Sequence, residues 1–377
     1  MRNGTPAIPA NAPRSPSTAD TPAPAPIVSV VVPARNEEAN LERCLRSIVA
    51  QQGIPFEVIV IDDHSSDGTR ALAEQFATAS ADSPRVFVIE ARSPLPEGWT
   101  GKANALWTGV RLARGEWLLF TDADTEHMAG SLACAVAEAG QRGVDLLSLS
   151  PEQEVEGFCE RVLMPVVFSE LAAAYRPGDV SDPAKPVAAA NGQYLLIRRS
   201  VYEKLGGHAA VAGDLLEDVA LARKVKDAGF GLGFRMGKGM VRTRMYRGWQ
   251  QMREGWTKNL VLLFPGARRL AYHRLGEFTA LAGLPVAAGI AFRSHSGRLG
   301  WLALLAAGCF WTKFLLRVRR AHFDHLSTAV SVFGLPLFAS LLLRSEAAHR
   351  AGRIQWKGRN YCGLSASAQK EAAAKQA

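Results

Sequence analysis

Four clusters of polar residues each follow a short apolar run: Pro33-Ala34-Arg35-Asn36-Glu37-Glu38, Asp62-Asp63-His64-Ser65-Ser66-Asp67-Gly68-Thr69, Thr121-Asp122-Ala123-Asp124, and Asp214-Leu215-Leu216-Glu217-Asp218. Open parallel sheets bind ligands at the carboxyl ends of their strands, so these clusters are the first places to look for chemistry. Asp122 and Asp124 stand two apart after EWLLF and can aim at one hard cation, which would bridge a donor's phosphates and neutralise a leaving diphosphate. A lone D-x-D is a weak signal, equally a turn or an N-cap; its place at a strand end gives it weight. Asp218 is the candidate general base, with Glu217 as its alternative, because a carboxylate so placed can take the proton of an attacking hydroxyl. Both would also favour a helix N-terminus without any catalytic role.

Asp62 and Asp63 follow FEVIVI. One of such a pair can cap the next helix while the other binds, and Asp63 is the preferred partner for a base N–H or ribose hydroxyls. Pro33, Arg35 and Glu37 stand at the first strand end and are candidates for ligand binding on the same ground. Lys102 stands near a helix start where a phosphate is welcome, but its G-x-x-G-K lacks the P-loop spacing, and a solvated lysine explains it equally well. No Ser-His-Asp or Cys-His pattern competes, since the eight histidines are scattered.

These residues need elements to hold them. With 377 residues, 48% of them apolar, the chain can bury one large core or two smaller ones. Strand-like runs at 27–33, 56–62, 85–90, 116–122, 145–150 and 193–199 alternate with helical patterns at 37–51, 69–79, 102–113 and 214–227, the signature of a mostly parallel α/β sheet covered on both faces. The α/β unit is expected at 27–265. Residues 1–26 are Pro/Ala-rich without an apolar h-region, which predicts a disordered tail rather than a signal peptide. The five cysteines are odd in number, widely spaced and free of C-x-x-C, which argues against a disulfide framework or a zinc site.

Beyond 265 the composition changes. Apolar segments at 278–292, 299–316 and 326–343 are separated by basic links, and the net charge of +9 gathers after 235. That alternation fits anionic lipid rather than nucleic acid. Residues 266–345 are expected to be membrane-associated helices, followed by a basic C-terminal motif and tail at 346–377. Only the third segment, with 18 residues and no charge, reaches the roughly 27 Å of a marginal span, while the second is interrupted by Lys313. An even number of crossings is expected, with the short first segment and its Pro285 in the interface or re-entrant.

Together IVSVVVPARNEE, VIVIDDHSSDGT, LLFTDADT, LLEDVALARKVKDAG and Arg253-Glu254-Gly255-Trp256-Thr257-Lys258-Asn259 resemble family 2 glycosyltransferases of the glycosyltransferase A type over residues 27 to 262. PLPEGWTGKANA at 94–105 and Trp356-Lys357-Gly358-Arg359-Asn360-Tyr361 are most similar to membrane-bound lipid-directed members, such as carotenoid-type and hopanoid-associated enzymes. The resemblance implies a Rossmann-like α/β fold followed by a helical membrane region, with the catalytic domain on the cytoplasmic side of the cell membrane. It implies a nucleotide diphosphate sugar donor, a lipid-like acceptor and a divalent metal, Mg or Mn. Pro33, Glu37 and Asp63 would contact the nucleotide, Asp122 and Asp124 the metal, and Asp218 would be the base. Polymerising members carry Gln-x-x-Arg-Trp, whereas here Glu254-Gly255 separates Arg253 from Trp256. That departure speaks against a polysaccharide synthase subunit, and the intact carboxylates speak against an inactive scaffold. On this resemblance Arg253 would neutralise the diphosphate, and Trp256 would wall the acceptor site or anchor the chain at a membrane interface.

Overall fold

The computed structural model describes residues 25–79 and 84–361. Nearly all of the Pro/Ala-rich tail, and the chain after 361 with Cys362, lie outside these residues.

Seven strands form the central sheet: β1 (Val28–Ala34), β2 (Phe56–Asp62), β3 (Arg85–Glu90), β4 (Trp117–Phe120), β5 (Leu146–Ser150), β6 (Leu195–Arg198) and β7 (Leu232–Met236), in the order β3-β2-β1-β4-β6-β5-β7. Strands β1 to β4 are mutually parallel, as are β5 and β7, while β6 runs antiparallel to both its neighbours. Successive side chains of a strand face opposite sides, so the continuous apolar runs serve two cores at once. Val30, Val32, Val58 and Val60 pack under helices α1 (Glu38–Val49), α2 (Thr69–Ala79) and α4 (Ser131–Arg142). Val31, Ile59 and Ile61 pack under α3 (Gly101–Val110) and α6 (Glu217–Asp227). Each such fully buried side chain contributes about 1.5–3 kcal/mol, and a polar residue at either phase of the strand would forfeit it.

A second, helical core lies beside the sheet. It is built by α5 (Phe158–Ala174), α7 (Trp249–Leu263), α8 (Ala267–Arg293), α9 (Gly297–Val318) and α10 (Gly334–Arg350), through Leu163, Val167, Leu260, Phe314, Phe338 and Leu342. The backbone carbonyl of Val162 approaches Gly334 so closely that a Cβ there would collide with it.

Three helical segments are long and apolar enough to cross a membrane: 267–293, 297–321 and 325–350. The first is not the short segment the apolar count suggests. Helix α8 has 27 residues, about 40 Å at 1.5 Å per residue, because it continues through the basic stretch before 278 and past Pro285. Only 11% and 17% of the apolar windows of α8 and α9 are covered by protein, against 56% for the third segment. Val286, Ile290, Leu299, Trp301, Leu302 and Leu305 of the first two are exposed. The segment expected to span is thus the one most covered by protein, and the one expected to lie flat is a long exposed helix paired with α9 across residues 294–296. At the base of this hairpin Arg274 contacts Glu170 (2.9 Å) and Glu277 (3.0 Å), and Arg317 contacts Glu277 (2.7 Å) and Glu170 (3.4 Å). This shielded two-plus-two network ties α8 and α9 to α5, and its charges balance only when all four residues are present.

After α10 the chain returns to the sheet and forms a short hairpin, Gln355–Trp356 paired with Arg359–Asn360. Its two-residue turn, Lys357-Gly358, has positive φ at both positions (45° and 75°), as a type I′ turn demands. Because this hairpin touches α7 and the sheet, residues 250 and 355 must lie on one side of any membrane the chain crosses. With single cysteines at Gln250, Ser294 and Gln355 in a background freed of native cysteines, 250 and 355 are expected to label from one face of sealed vesicles and 294 from the other. Labelling of all three from one face would show that the hairpin does not cross.

Candidate active site

A cavity of about 790 Å³ opens at the carboxyl ends of β1, β2 and β4. It is lined by Pro33, Arg35, Glu37, Asp63, Lys102, Asp122, Asp124, Glu217, Asp218 and Trp256, ten of the residues singled out in the sequence. The parallel register sets three of these clusters side by side, since Ala34 of β1 pairs with Asp62 of β2 and Val31 with Phe120 of β4.

Of the two adjacent aspartates, Asp62 accepts the Ser65 N–H (3.2 Å) and holds the turn, while Asp67 takes the cap-like contact to the Thr69 N–H (3.1 Å). Asp63 is left to face the cavity. Arg35 braces this rim by donating from Nη1 to the Asp63 carbonyl (2.6 Å). Lys102 stands in the first turn of α3, and its Nζ bridges Asp122 Oδ1 (2.8 Å) and Glu217 Oε1 (2.9 Å). Burial works against that ammonium, yet Asp122, Glu217 and Asp218 overcome it and hold its pKa well above the ordinary lysine value.

Residues 191–193 also enter the cavity, and the reason is the reversed strand. Because β6 runs antiparallel to β4 and β5, its beginning lies where its neighbours end. Gln193 Nε2 approaches both Asp124 oxygens (3.3 and 3.4 Å) and the Thr243 hydroxyl (3.1 Å). The Gly192 N–H donates to Asp218 Oδ2 (2.7 Å), and the Val219 N–H to Asp218 Oδ1 (2.8 Å), which fixes the carboxylate plane. A search confined to residues following apolar runs passes over these, because they precede one.

Burial first, then the charges of Asp122 and Glu37, push the Asp124 carboxyl up to about 7. Burial and then Glu217 push Asp218 up to about 6. Among the described residues Asp124 has no cation within 4 Å, and no three His, Cys, Asp or Glu side chains are grouped to hold a metal. Asp122 and Asp124 are therefore a two-carboxylate set, the kind that suits a hard cation completing its shell with phosphate oxygens and water.

Arg253 is not in this cavity. The 100° step of a helix turns Gln251, Glu254, Lys258 and Asn259 of α7 toward the cleft and leaves Gln250, Arg253 and Thr257 on the opposite face, beside Arg344 and Arg353. The two extra residues before Trp256 account for the misplacement, since they change which basic side chain shares the cleft face. That side chain is Lys258. Its Nζ lies 5.1 Å from the centre of the Trp356 ring, and it makes no ion pair within 4 Å among the described residues. Burial lowers its pKa, against the pull of Glu217. Trp256 is buried against Phe168 and Tyr246 and lines the cavity, its Nε1 without a partner.

The cavity continues along an apolar wall of Phe168 and Leu171 from α5, Tyr175 just after it, Met245 and Leu263, and reaches Arg320 and His322 just after α9. One end is thus carboxylate-rich, and the other meets the base of the exposed hairpin.

Residues 29–206 match the model of glycosyl transferase family 2. The chain carries a family 2 glycosyltransferase domain. The 4,4'-diaponeurosporenoate glycosyltransferases of Staphylococcus aureus strains MRSA252 and USA300 are 26% and 27% identical to it, each over 89% of this chain and 88% of the relative. A mannosyltransferase from Pyrobaculum calidifontis, solved with GDP-Man and Mn2+, shares the fold at 21% identity and a TM-score of 0.51, over 86% of this chain and 87% of that one. The expected α/β architecture of glycosyltransferase A type is the one observed.

Arg253→Ala is expected to keep sugar transfer within about twofold of wild type, as for a residue outside the cleft. Loss of most activity in a folded variant would return that guanidinium to the reaction.

Proposed function

We propose that this cleft transfers a sugar, with inversion, from a nucleotide diphosphate sugar to a lipid-like acceptor at a membrane, with Asp218 as general base. The observation that carries the reading is the continuity of one cavity from the Asp122, Asp124 and Asp218 carboxylates to an apolar wall at the foot of the exposed α8–α9 hairpin. The relatives named as 4,4'-diaponeurosporenoate glycosyltransferases and the fold neighbour holding GDP-Man and Mn2+ support a sugar donor and an apolar acceptor. Asp63, Glu37, Pro33 and Arg35 form the nucleotide end, and Trp256 the wall beside the acceptor.

Asp218, its plane fixed by two backbone N–H groups, accepts the proton of the acceptor hydroxyl as that oxygen forms its bond to the anomeric carbon. The bond between that carbon and the diphosphate oxygen breaks, and the electron pair leaves with the diphosphate. Lys102, held between Asp122 and Glu217, keeps the Glu217 charge from pushing the base still higher. A Mg2+ or Mn2+ ion on Asp122 and Asp124 would supply charge neutralisation for the leaving diphosphate.

Asp124→Ala is expected to abolish transfer while circular dichroism and melting temperature stay near wild type; full activity of this variant in chelator would exclude the metal role. Asp218→Asn keeps the shape and is expected to lower turnover by about 100-fold to 10,000-fold with donor binding intact. If Glu217→Gln is inactive instead, the base is the neighbouring residue. The base works deprotonated, so kcat should rise as pH increases through about 6, the value to which Asp218 is pushed. Removing the Glu217 charge should shift that limb to lower pH, and a limb that stays in place in Glu217→Gln would break the link.

A further inference from the structure

The C-terminal hairpin inserts two cations into the nucleotide end of the cleft. Arg359 grips Asp63 with both guanidinium nitrogens, one at 2.9 Å from Asp63 Oδ1 and the other on Oδ2. Lys357 Nζ contacts Glu37 and donates to the Arg35 carbonyl (3.0 Å), while Arg35 Nε donates back to the Lys357 carbonyl (3.2 Å). These contacts join residues 322 and 296 positions apart in sequence.

The placement is specific. Lys357 takes a positive φ of 45°, which a lysine adopts only when its surroundings impose it. Its N–H is held by Glu254 Oε1 (3.1 Å), and Ile354 and Tyr361 seat the hairpin on Leu215, two residues before Glu217. Gly101 leaves the space that the guanidinium fills, since a Cβ at that position would collide with Arg359 Nη1. Gly101 is also the first residue of α3, so Arg359 stands at a helix N-terminus, where an anion and not a cation is electrostatically favoured.

Arg359 thus satisfies Asp63, yet sits where the helix end and Lys102 would welcome phosphate. A nucleoside that uses Asp63 must compete with Arg359 for its oxygens, and a diphosphate arriving with it offers the guanidinium a new bidentate partner. We propose that Arg359 and Lys357 are donor-binding residues that exchange partners, leaving Asp63 and Glu37 for the donor's diphosphate as Asp63 turns to the nucleoside. The proposal rests on the reading of the cleft as a nucleotide-sugar site. On it the donor site is incomplete without the hairpin that carries Lys357 and Arg359.

The test uses full-length protein in detergent with Mg2+ and ligand-observed NMR titration of UDP, GDP, uridine and guanosine. Wild type binding neither diphosphate would overturn the nucleotide reading itself. Given binding, Arg359→Ala is expected to weaken the preferred diphosphate by about tenfold or more, roughly the 1.4 kcal/mol of one charge-assisted contact. The matching nucleoside should bind as well as before or tighter, because Asp63 is released. Gly101→Ala, which displaces Arg359 while leaving it in the chain, should act in the same direction and serves if Arg359→Ala fails to fold. Arg359→Lys should recover part of the diphosphate affinity. If the diphosphate binds Arg359→Ala as tightly as wild type or tighter, the hairpin is only a plug. If nucleoside and diphosphate weaken by the same factor, it only shapes the cleft. Either result overturns the exchange.

Discussion

Seven carboxylates, Glu37, Asp63, Asp122, Asp124, Glu217, Asp218 and Glu254, line one cavity, and gathering so much like charge away from water costs several kcal/mol for each group left unpaired. The chain meets this constraint with cations from well-separated segments: Lys102 from α3, Lys258 from α7, and Lys357 and Arg359 from the C-terminal hairpin. Much of the architecture outside the sheet follows. The hairpin can reach the cleft only if the chain, having run out along α8 and back along α9, continues through α10 to the catalytic side. Charge balance at the site and the path of the apolar helices are therefore one problem. On the proposed function, an even number of crossings would solve both.

The compensation is incomplete where chemistry would use the deficit. Lys102 neutralises Asp122 and Glu217 but leaves Asp124 and Asp218 with raised affinities for protons. A carboxyl pushed up to about 7 by burial and like charge is one that a bound cation would stabilise as carboxylate. A base pushed up to about 6 accepts a proton more readily than a solvated aspartate and is still mostly ionised near neutrality.

The strand-end carboxylates were legible in the sequence because the parallel sheet leaves a simple signature, an apolar run followed by polar residues on the ligand side. The same rule hid Gln193 and Gly192, whose strand runs the other way. Arg253 was misassigned because a motif read linearly does not specify helical phase, and Lys258, five residues on, has the required face. The roles of Lys357 and Arg359 could not be derived at all: the motif was visible, but its partners lie more than 290 positions away. For the apolar segments, counting uncharged residues measured composition and missed that helix α8 extends through its basic flank, where Arg274 is neutralised by Glu170 and Glu277.

That neutralised flank bears on how a membrane-held acceptor would meet a water-soluble donor. Glu170 lies on α5, and the same helix presents Phe168 and Leu171 to the apolar part of the cleft. The four-charge network therefore sets the hairpin's depth and the acceptor wall from a single helix. On the proposed function, an acceptor chain lying along α8 and α9 would enter beside Arg320 and His322 and present its polar end to Asp218 while its apolar part stayed against the wall. Movement of α5 relative to the hairpin would break four ion pairs at once, whereas the donor end is held by Lys357 and Arg359 alone. On the proposed function, four ion-paired side chains would hold the acceptor wall in register with the hairpin, while the donor end would trade its ion pairs for the diphosphate as each nucleotide binds and leaves.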